Sequence, residues 1–132
     1  MAFRVIRPDQ LEWVEREPEP GGVPRHVARL SDVLEFAHTR GSLWRYPPGA
    51  KGRRHRDLIQ EETFVVLEGT LTMYLGDPPE RVDVGPHGVV AVEPMTPLQI
   101  RNEGEEELVL FIYGAPPVDE GADFFDDAEL PA

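Results

Sequence analysis

The sequence predicts an all-β domain that folds as a sandwich or a barrel. Short runs of β-branched, aliphatic and aromatic residues follow one another at close spacing through the middle of the 132-residue chain. Such runs form strands, because these side chains fit a pleated and half-buried surface. Glycine and proline clusters at residues 47–49, 76–79 and 85–88 separate the runs and are typical of turns. Short strands joined by tight turns favour packed sheets.

Composition is that of a single globular domain. Apolar residues make up 40% of the chain and charged residues 29%. The 13 lysines and arginines oppose 25 acidic residues, which gives a formal net charge of −12 and no basic footprint for nucleic acid. The chain has no cysteine, which excludes disulfides and suits a reducing compartment. Without an apolar run of membrane length or an apolar leader, we expect a cytoplasmic protein with neither nucleic-acid nor membrane partners.

Turn-forming and acidic segments divide the chain into three parts. Residues 1–22 end in a Glu-Pro-Glu-Pro-Gly-Gly breaker and predict an N-terminal arm or edge strand, which lies on the barrel or crosses to a second subunit. Residues 23–115 carry the strand pattern and form the barrel. Residues 116–132 are rich in proline and acidic residues and predict a mobile tail. The aromatic pair Phe124-Phe125 indicates either a docking point or part of that loosely ordered tail.

The first half of the barrel segment predicts two strands and one helical turn. Residues 23–30 form a strand, and residues 31–36 form the helical turn. Residues 41–46 form a second strand, rich in aromatic residues, in which Trp44 and Tyr46 share a face. These two rings are either core or interface side chains, or ligand contacts.

The second half alternates short strands with turns. Residues 70–75 alternate apolar side chains with threonine and tyrosine, so one face of this strand is expected to be buried and the other exposed. Residues 89–92 predict a buried strand. Residues 108–113 are apolar on both faces, so a flanking strand or subunit should cover the face that the core does not. Further strands are predicted at residues 63–67, 81–84 and 98–101.

The segment 49–69 carries the polar residues on which the functional interpretation depends. His55 and Asp57 are two residues apart and therefore point to the same side of a strand. The same rule assigns Arg53 to that side. Glu62 opens the following strand, which ends at a glycine. One histidine and two carboxylates can therefore converge from neighbouring strands.

This segment resembles the first motif of the cupins, in which a glycine precedes His-x-His and a glutamate and a second glycine follow. Gly49, His55, Glu62 and Gly69 stand at the corresponding positions with the corresponding spacing. Asp57 departs from the pattern, because it occupies the place of the second histidine. The resemblance implies a cupin-like double-stranded antiparallel β-helix, or jelly-roll barrel, with its site inside, and it favours a homodimer. In metal-binding cupins the two histidines, the glutamate and a later histidine hold the metal.

The second cupin motif is degenerate in this chain. When its final asparagine is aligned with Asn102, Leu98 stands at the position of the later histidine. A register shifted by one residue places Gln99 there instead. We prefer the first register, because it directs Leu98 and Ile100 into the barrel and leaves Gln99 and Arg101 to solvent. Neither register supplies the later histidine of the metal-binding members.

The preferred functional interpretation is a pocket that binds a small organic molecule, with an anionic ligand favoured by the neighbouring basic residues. Lys51, Arg54 and Arg56 are assigned to the rim or to a solvated loop. Polar and apolar side chains from both motifs are expected to line this pocket: Arg53, His55, Asp57, Glu62, Phe64, Val66, Leu98 and Ile100.

The alternative is a metal-dependent enzyme of the oxygenase or isomerase type, with His55, Asp57 and Glu62 as ligands. One nitrogen and several carboxylate oxygens favour a divalent metal such as Mn²⁺ or Mg²⁺, with an open position for substrate. Two residues oppose a metal cofactor. Leu98 stands at a ligand position, and Arg53 can neutralise the carboxylates without an ion.

A third hypothesis is metal-free acid–base chemistry, in which two carboxylates and one histidine divide their protons near neutral pH. The remaining histidines, His26, His38 and His87, have no spacing that directs them to the site. The second and third hypotheses use the same three residues, so the sequence leaves the choice between an enzyme and a binding protein open.

Overall fold

The protein is built from two antiparallel sheets, which confirms the predicted all-β barrel. Its structure, a computed structural model, describes residues 2–117 and 121–130. A 3₁₀ turn at Pro8–Gln10 and one α-helical turn, α1 (Leu30–Val33), are the helical elements of these residues, and neither could span a membrane. The strands are β1 (Val14–Arg16), β2 (Arg25–Arg29), β3 (Arg40–Tyr46), β4 (His55–Asp57), β5 (Glu61–Glu68), β6 (Leu71–Leu75), β7 (Glu80–Val84), β8 (Val89–Val92), β9 (Leu98–Arg101), β10 (Leu108–Ala115) and β11 (Ala122–Phe124).

The strand order is that of a double-stranded β-helix, in which the chain crosses repeatedly between the sheets. The larger sheet has six strands in the order β1-β2-β3-β10-β5-β8, and the smaller sheet has five in the order β11-β4-β9-β6-β7. Neighbouring strands are antiparallel. Because β4 and β5 lie in different sheets, residues on these two successive strands can meet inside the barrel.

The core lies between the sheets and is formed by side chains at alternate strand positions. Phe64, Val66 and Met73 are at most 1% exposed. Leu98 and Ile100 join the same cluster from β9, which confirms that both of these side chains point inward. Removing a side chain of this size from water contributes about 1.5–3 kcal/mol to folding.

Strand β6 is buried on both faces, so the prediction of a half-buried strand is wrong. Thr72 and Tyr74 alternate with the core residues, yet they are only 2% and 4% exposed. The Thr72 hydroxyl donates to Asp83 at 2.7 Å, and the Tyr74 hydroxyl donates to Glu103 at 2.8 Å. The Arg101 guanidinium lies 4.3 Å from the centre of the Tyr74 ring. Polar side chains from neighbouring elements therefore cover this face.

Two strands that were predicted to be covered are partly open. β8 lies at the edge of the larger sheet, where Val89 is 57% exposed. β10 lies between β3 and β5 with Leu110 buried, but on its outer face Tyr113 is 38% exposed. The Tyr113 ring stacks with Phe111 at a centroid distance of 5.3 Å. The sequence pattern therefore overestimates how far these faces are covered within one chain.

The C-terminal segment packs against the barrel, so the prediction of a mobile tail is wrong for residues 121–130. β11 pairs with β4 at the edge of the smaller sheet. Gln99 was predicted to face solvent but is 0% exposed, because its amide group hydrogen-bonds to this segment. The tail residues 118–120 and 131–132 lie outside the described residues.

Candidate functional site

Strands β4 and β5 bring His55, Asp57 and Glu62 together between the sheets. Nε2 of His55 lies 3.6 Å from Oδ2 of Asp57 and 3.5 Å from Oε1 of Glu62. One ligand atom from each residue lies within 4.8 Å of the other two. The three side chains are 15–23% exposed. We call these three residues the polar cluster.

The orientation of the His55 ring is set by its other nitrogen. Nδ1 lies 3.1 Å from the backbone oxygen of Arg53, so an Nδ1–H group can donate there while Nε2 faces the two carboxylates. Burial lowers the pKa of His55, but the adjacent Asp57 and Glu62 outweigh burial and raise this pKa from 6.5 to about 10. Without another cation, the imidazole is therefore held as a cation between two acids.

The two carboxylates differ in pKa because their surroundings differ. Burial raises the pKa of Glu62 from 4.5 to about 7, and the Asp57 charge acts in the same direction. Burial also acts to raise the pKa of Asp57, but the adjacent His55 holds it below its ordinary value. Oε1 of Glu62 is buried and accepts no hydrogen bond from the described residues, although Nε2 of His55 lies 3.5 Å away. Since such an atom is costly, a proton or a cation at this position would stabilise the cluster.

A cavity of about 390 Å³ lies beside the polar cluster, inside the barrel. Its size is in the range of small-molecule sites. Val66 does not line this cavity because it is fully buried in the core, and Asp57 belongs to the polar cluster but not to the cavity wall. The other predicted pocket residues do line the cavity: Arg53, His55, Glu62, Phe64, Leu98 and Ile100.

Several residues that line the cavity were not predicted from the sequence to do so, and others had no single predicted role. Arg25 could have been found by alternation, because it lies on β2 two residues before the buried Val27 and shares its face. Phe124 gave no such signal, because β11 reaches the cavity through a pairing that is distant in sequence. The additional wall residues are Arg16, Arg25, Trp44, Tyr46, Gly52, Ile112 and Phe124.

Arg53 lies at the cavity, but it is not paired with the carboxylates of the polar cluster as the sequence suggested. Its guanidinium carbon lies 4.1 Å from the centre of the Phe124 ring, and among the described residues it forms no ion pair. The reason is that β4 begins at His55, so strand alternation does not extend back to Arg53. The carboxylates therefore have no arginine to neutralise them, which removes one objection to a bound cation.

Three arginines line the cavity without an acidic partner in the part of the chain that the structure describes: Arg16, Arg25 and Arg53. Arg25 donates from Nη1 to the Tyr46 hydroxyl at 3.2 Å, and its guanidinium lies 5.2 Å from the centre of the Trp44 ring. Burial raises the pKa of Tyr46. The Tyr46 hydroxyl therefore stays neutral and does not balance the charge of Arg25.

The basic residues that were assigned to the rim or to a solvated loop hold the C-terminal segment instead. Lys51 forms an ion pair with Asp127. Arg56 forms another with an aspartate of β11 at 2.7 Å. The guanidinium groups of Arg54 and Arg56 lie 5.4 and 5.6 Å from the centre of the Phe125 ring. The aromatic pair is therefore a docking point, and its partner surface belongs to the same chain.

The polar cluster fits a divalent cation in its donor set. It offers one imidazole nitrogen and two carboxylates, and Oε1 of Glu62, which accepts no hydrogen bond from the described residues, is one of the possible ligand atoms. Leu98, which pairs with His55 in the sheet register, is apolar and offers no ligand atom. Among the described residues the set is these three protein ligands. His38 and His87 are exposed, and His26 lies 3.9 Å from Glu15, so these histidines are not part of the cluster.

Comparisons with known proteins agree with this architecture. A family model described as the cupin domain matches residues 42–113, a stretch that includes the whole polar cluster. A search of curated proteins returns no significant match.

Three similar solved structures cover nearly the whole chain. The polyketide cyclase RemF from Streptomyces resistomycificus is 16% identical with a TM-score of 0.78, and the match covers 96% of this chain and 87% of that one. A sugar phosphate isomerase from Silicibacter pomeroyi is 20% identical with a TM-score of 0.73, covering 98% and 96%. A conserved protein with a double-stranded β-helix domain from Klebsiella pneumoniae is 17% identical with a TM-score of 0.71, covering 94% and 98%. Similarity at this level of identity shows a shared fold alone.

Proposed function

The chain belongs to the cupin domain family, and on this premise we propose that its barrel binds a small organic anion. The observation that carries the proposal is the set of cavity arginines, Arg16, Arg25 and Arg53, which have no acidic partner among the described residues. Acidic residues are abundant in this chain, at 25 against 13 basic residues. Arginines elsewhere, such as Arg56 and Arg81, do form ion pairs. A ligand carboxylate or phosphate would supply the partner that the cavity arginines lack.

Two of the cavity arginines lie apart from Glu62 in the larger sheet. Arg16 and Arg25 lie on β1 and β2, whereas Glu62 lies on β5, with β3 and β10 between them. An anionic group bound at these two arginines would direct the rest of the ligand toward His55 and Glu62. The His55 cation can donate a hydrogen bond, and Glu62 can donate or accept one because its pKa is near 7.

Apolar side chains also line the cavity. Phe64, Leu98, Ile100 and Ile112 all line the cavity. Contact with these walls would add hydrophobic stabilisation of about 25 cal/mol for each Å² of apolar ligand surface removed from water. The arrangement therefore suits an anion with an organic body better than an inorganic ion.

Thermal unfolding with benzoate and phenyl phosphate, each compared with the neutral benzamide, tests the proposal. We expect the two anions to raise the unfolding temperature by mass action and benzamide to have little effect. Arg25→Gln should abolish the anion effect. Arg45→Gln is the matched control, because Arg45 lies between two inward-facing residues of β3 and pairs with Glu107. An equal shift with benzamide, or a shift that survives Arg25→Gln, would refute the proposal.

A second candidate is a metal-dependent enzyme, which is favoured by the buried Oε1 of Glu62, an atom that accepts no hydrogen bond from the described residues. His55, Asp57 and Glu62 would hold the cation, which would supply Lewis-acid chemistry at the cavity. The arginines would orient an anionic substrate beside it. Two similar structures are a sugar phosphate isomerase and a polyketide cyclase, which accords with enzyme chemistry on this fold. The reaction itself depends on the site and not on the fold.

Elemental analysis of freshly purified, untagged protein tests this second candidate. Near-stoichiometric metal in the wild type that is lost in His55→Ala would support it. Wild-type protein without metal, which also gains no thermal stability from Mn²⁺ or Mg²⁺, would eliminate it and leave the anion-binding proposal in place.

A further inference from the structure

Aromatic rings and guanidinium groups line the cavity together on both of its sides. In the larger sheet, Arg25 lies 5.2 and 5.4 Å from the ring centres of Trp44 and Tyr46. On the side of the smaller sheet, Arg53 lies 4.1 Å from the ring centre of Phe124. All five side chains line the same cavity. Each side therefore offers an aromatic surface and a cation.

An arginine that lies over a ring can still bind an anion. The face of the planar guanidinium contacts the ring, while its N–H groups point outward in the guanidinium plane. A carboxylate or phosphate can therefore approach Arg25 or Arg53 edge-on without displacing either arginine from its ring.

Phe124 is directed to the cavity by the register of β11. It pairs with His55 on β4, and the two ring centres are 6.1 Å apart. The next residue, Phe125, lies instead near Arg54 and Arg56. Phe124 remains 51% exposed although it lines a cavity. A ligand surface that covered this ring would remove apolar area from water.

The strand that carries Phe124 is anchored by the buried side chain of Gln99. Its Nε2 donates to the Gly52 carbonyl at 3.0 Å and to Asp127 at 2.9 Å, and its Oε1 accepts from the Ala128 N–H at 2.9 Å. These bonds fix the segment that follows β11 against the barrel. Phe124 therefore has a fixed position in the cavity wall, because β11 pairs with β4 and the segment after β11 is bonded to Gln99.

We propose that the ligand of this cavity is a planar aromatic anion, with its ring against the aromatic walls and its charged group between Arg25 and Arg53. The inference rests on the proposed anion-binding function and narrows its ligand class. A saturated anion of similar size could satisfy the arginines, but it lacks the flat face that stacks on Phe124. Stacked or edge-to-face ring pairs add stabilisation beyond the buried area, which corresponds to roughly threefold to tenfold in affinity.

Isothermal titration with benzoate, cyclohexanecarboxylate and benzamide tests this inference. The two acids share a charge and have similar size, but only benzoate is planar and aromatic. We expect benzoate to bind roughly threefold to tenfold more tightly than cyclohexanecarboxylate. Phe124→Leu should remove this preference, so that the two acids bind the variant with equal affinity. Phe125→Leu is the matched control and should keep the preference, and Phe124→Tyr, which retains a ring, should keep it as well.

The outcomes separate this inference from the function on which it rests. Equal affinity of the wild type for the two acids, or a preference that survives in folded Phe124→Leu, overturns the aromatic ligand class and leaves anion binding standing. Binding of neither acid overturns the inference, and binding of benzamide as tightly as benzoate overturns anion binding and the inference with it. If Phe124→Leu does not fold, loss of the preference in Phe124→Tyr overturns the inference.

Discussion

Nε2 of His55 lies 3.5 Å from Oε1 of Glu62, so a contact between β4 and β5 joins the two sheets at the cavity. Both groups have a raised pKa, about 10 for His55 and about 7 for Glu62. Each keeps its proton in the folded protein at pH values where the unfolded chain has lost it. Folding and proton binding are therefore coupled at this contact.

The first prediction is that the free energy of unfolding falls as the pH rises from about 5 to about 9. The stabilising contribution of His55 is complete below its ordinary pKa of 6.5 and is lost as the pH rises through about 10. The contribution of Glu62 is complete below 4.5 and is lost as the pH rises through about 7. Both groups therefore lower the free energy of unfolding as the pH rises. Urea unfolding in the presence of EDTA at several pH values measures the effect.

His55→Gln separates this contact from the general repulsion of an acidic protein. The variant should flatten the alkaline part of the decline by up to about 1.4 kcal/mol per pH unit, the limit for a single proton. His26→Gln is the control, because this histidine lies outside the polar cluster. If the free energy of unfolding falls with pH at the same rate in the wild type and in His55→Gln, the raised pKa of His55 is contradicted.

The metal-dependent candidate makes a second prediction, that Mn²⁺ raises the unfolding temperature of the wild type and not of Asp57→Asn. Binding to the folded state alone stabilises it by about 2.7 kcal/mol when the ion is present at about 100 times its Kd. Asp127→Asn is the control, because Asp127 lies in the acidic C-terminal segment and not in the polar cluster. A thermal shift that persists in Asp57→Asn would place the ion outside the polar cluster.

A third prediction concerns the geometry of Arg25 and not only its charge. Arg25→Lys keeps the positive charge but loses the planar donor group that lies over Trp44 and Tyr46. We expect affinity for benzoate to fall by roughly tenfold or more, since a hydrogen bond to a charged group contributes about 1.5–3 kcal/mol. Isothermal titration of the wild type and of Arg25→Lys with benzoate measures this difference in affinity. Undiminished affinity in Arg25→Lys would show that charge alone is recognised.

The inward faces of the strands could be predicted from alternation, but burial of the outward faces could not. Leu98 and Ile100 lie inside as expected, because the core requires apolar side chains at alternate positions. Thr72 and Gln99 were assigned to solvent, since alternation treats the polar face of a strand as exposed. Both are buried because Asp83 and the C-terminal segment supply hydrogen-bond partners. Such coverage depends on contacts between elements, which a local pattern does not contain.

The polar cluster was predictable because its members lie close in sequence, on two consecutive strands. Arg53 was misplaced, since it precedes β4, which begins at His55. Arg25 was predictable in principle from the face of Val27, but the sequence alone does not show that β2 borders a cavity. Phe124 was beyond local reasoning, because its position depends on the pairing of β11 with β4.

A fourth prediction concerns Gly69, the last glycine of the first motif. Its φ is +76°, and an added Cβ would lie 2.5 Å from the Glu107 carbonyl oxygen. Gly21 is a matched control, because its φ is +83° but nothing lies within 4 Å of an added Cβ. Gly21→Ala should cost about 1–2 kcal/mol from backbone strain alone. Gly69→Ala should cost more in urea unfolding, and an equal cost would show that the backbone relaxes around the clash.

The fifth prediction is that Gln99→Ala releases β11 from the barrel. The substitution leaves the Ala128 N–H and the Gly52 carbonyl without their partner, which should cost about 1–3 kcal/mol of folding stability. Hydrogen exchange of the β11 amides should accelerate more than that of core strands, because the loss is local. Since Phe124 then leaves the cavity wall, benzoate affinity should fall although Gln99 does not line the cavity.

Gln10→Ala is the control for this last prediction. Gln10 is exposed and its side chain accepts from the backbone N–H of Arg7, so its loss should change stability by less than about 0.5 kcal/mol and leave β11 unaffected. Exchange in β11 that is no faster in Gln99→Ala than in Gln10→Ala would mean that contacts other than those of Gln99 hold the segment. In that case the ion pairs of Lys51 and Arg56 with this segment, and not Gln99, fix the position of Phe124.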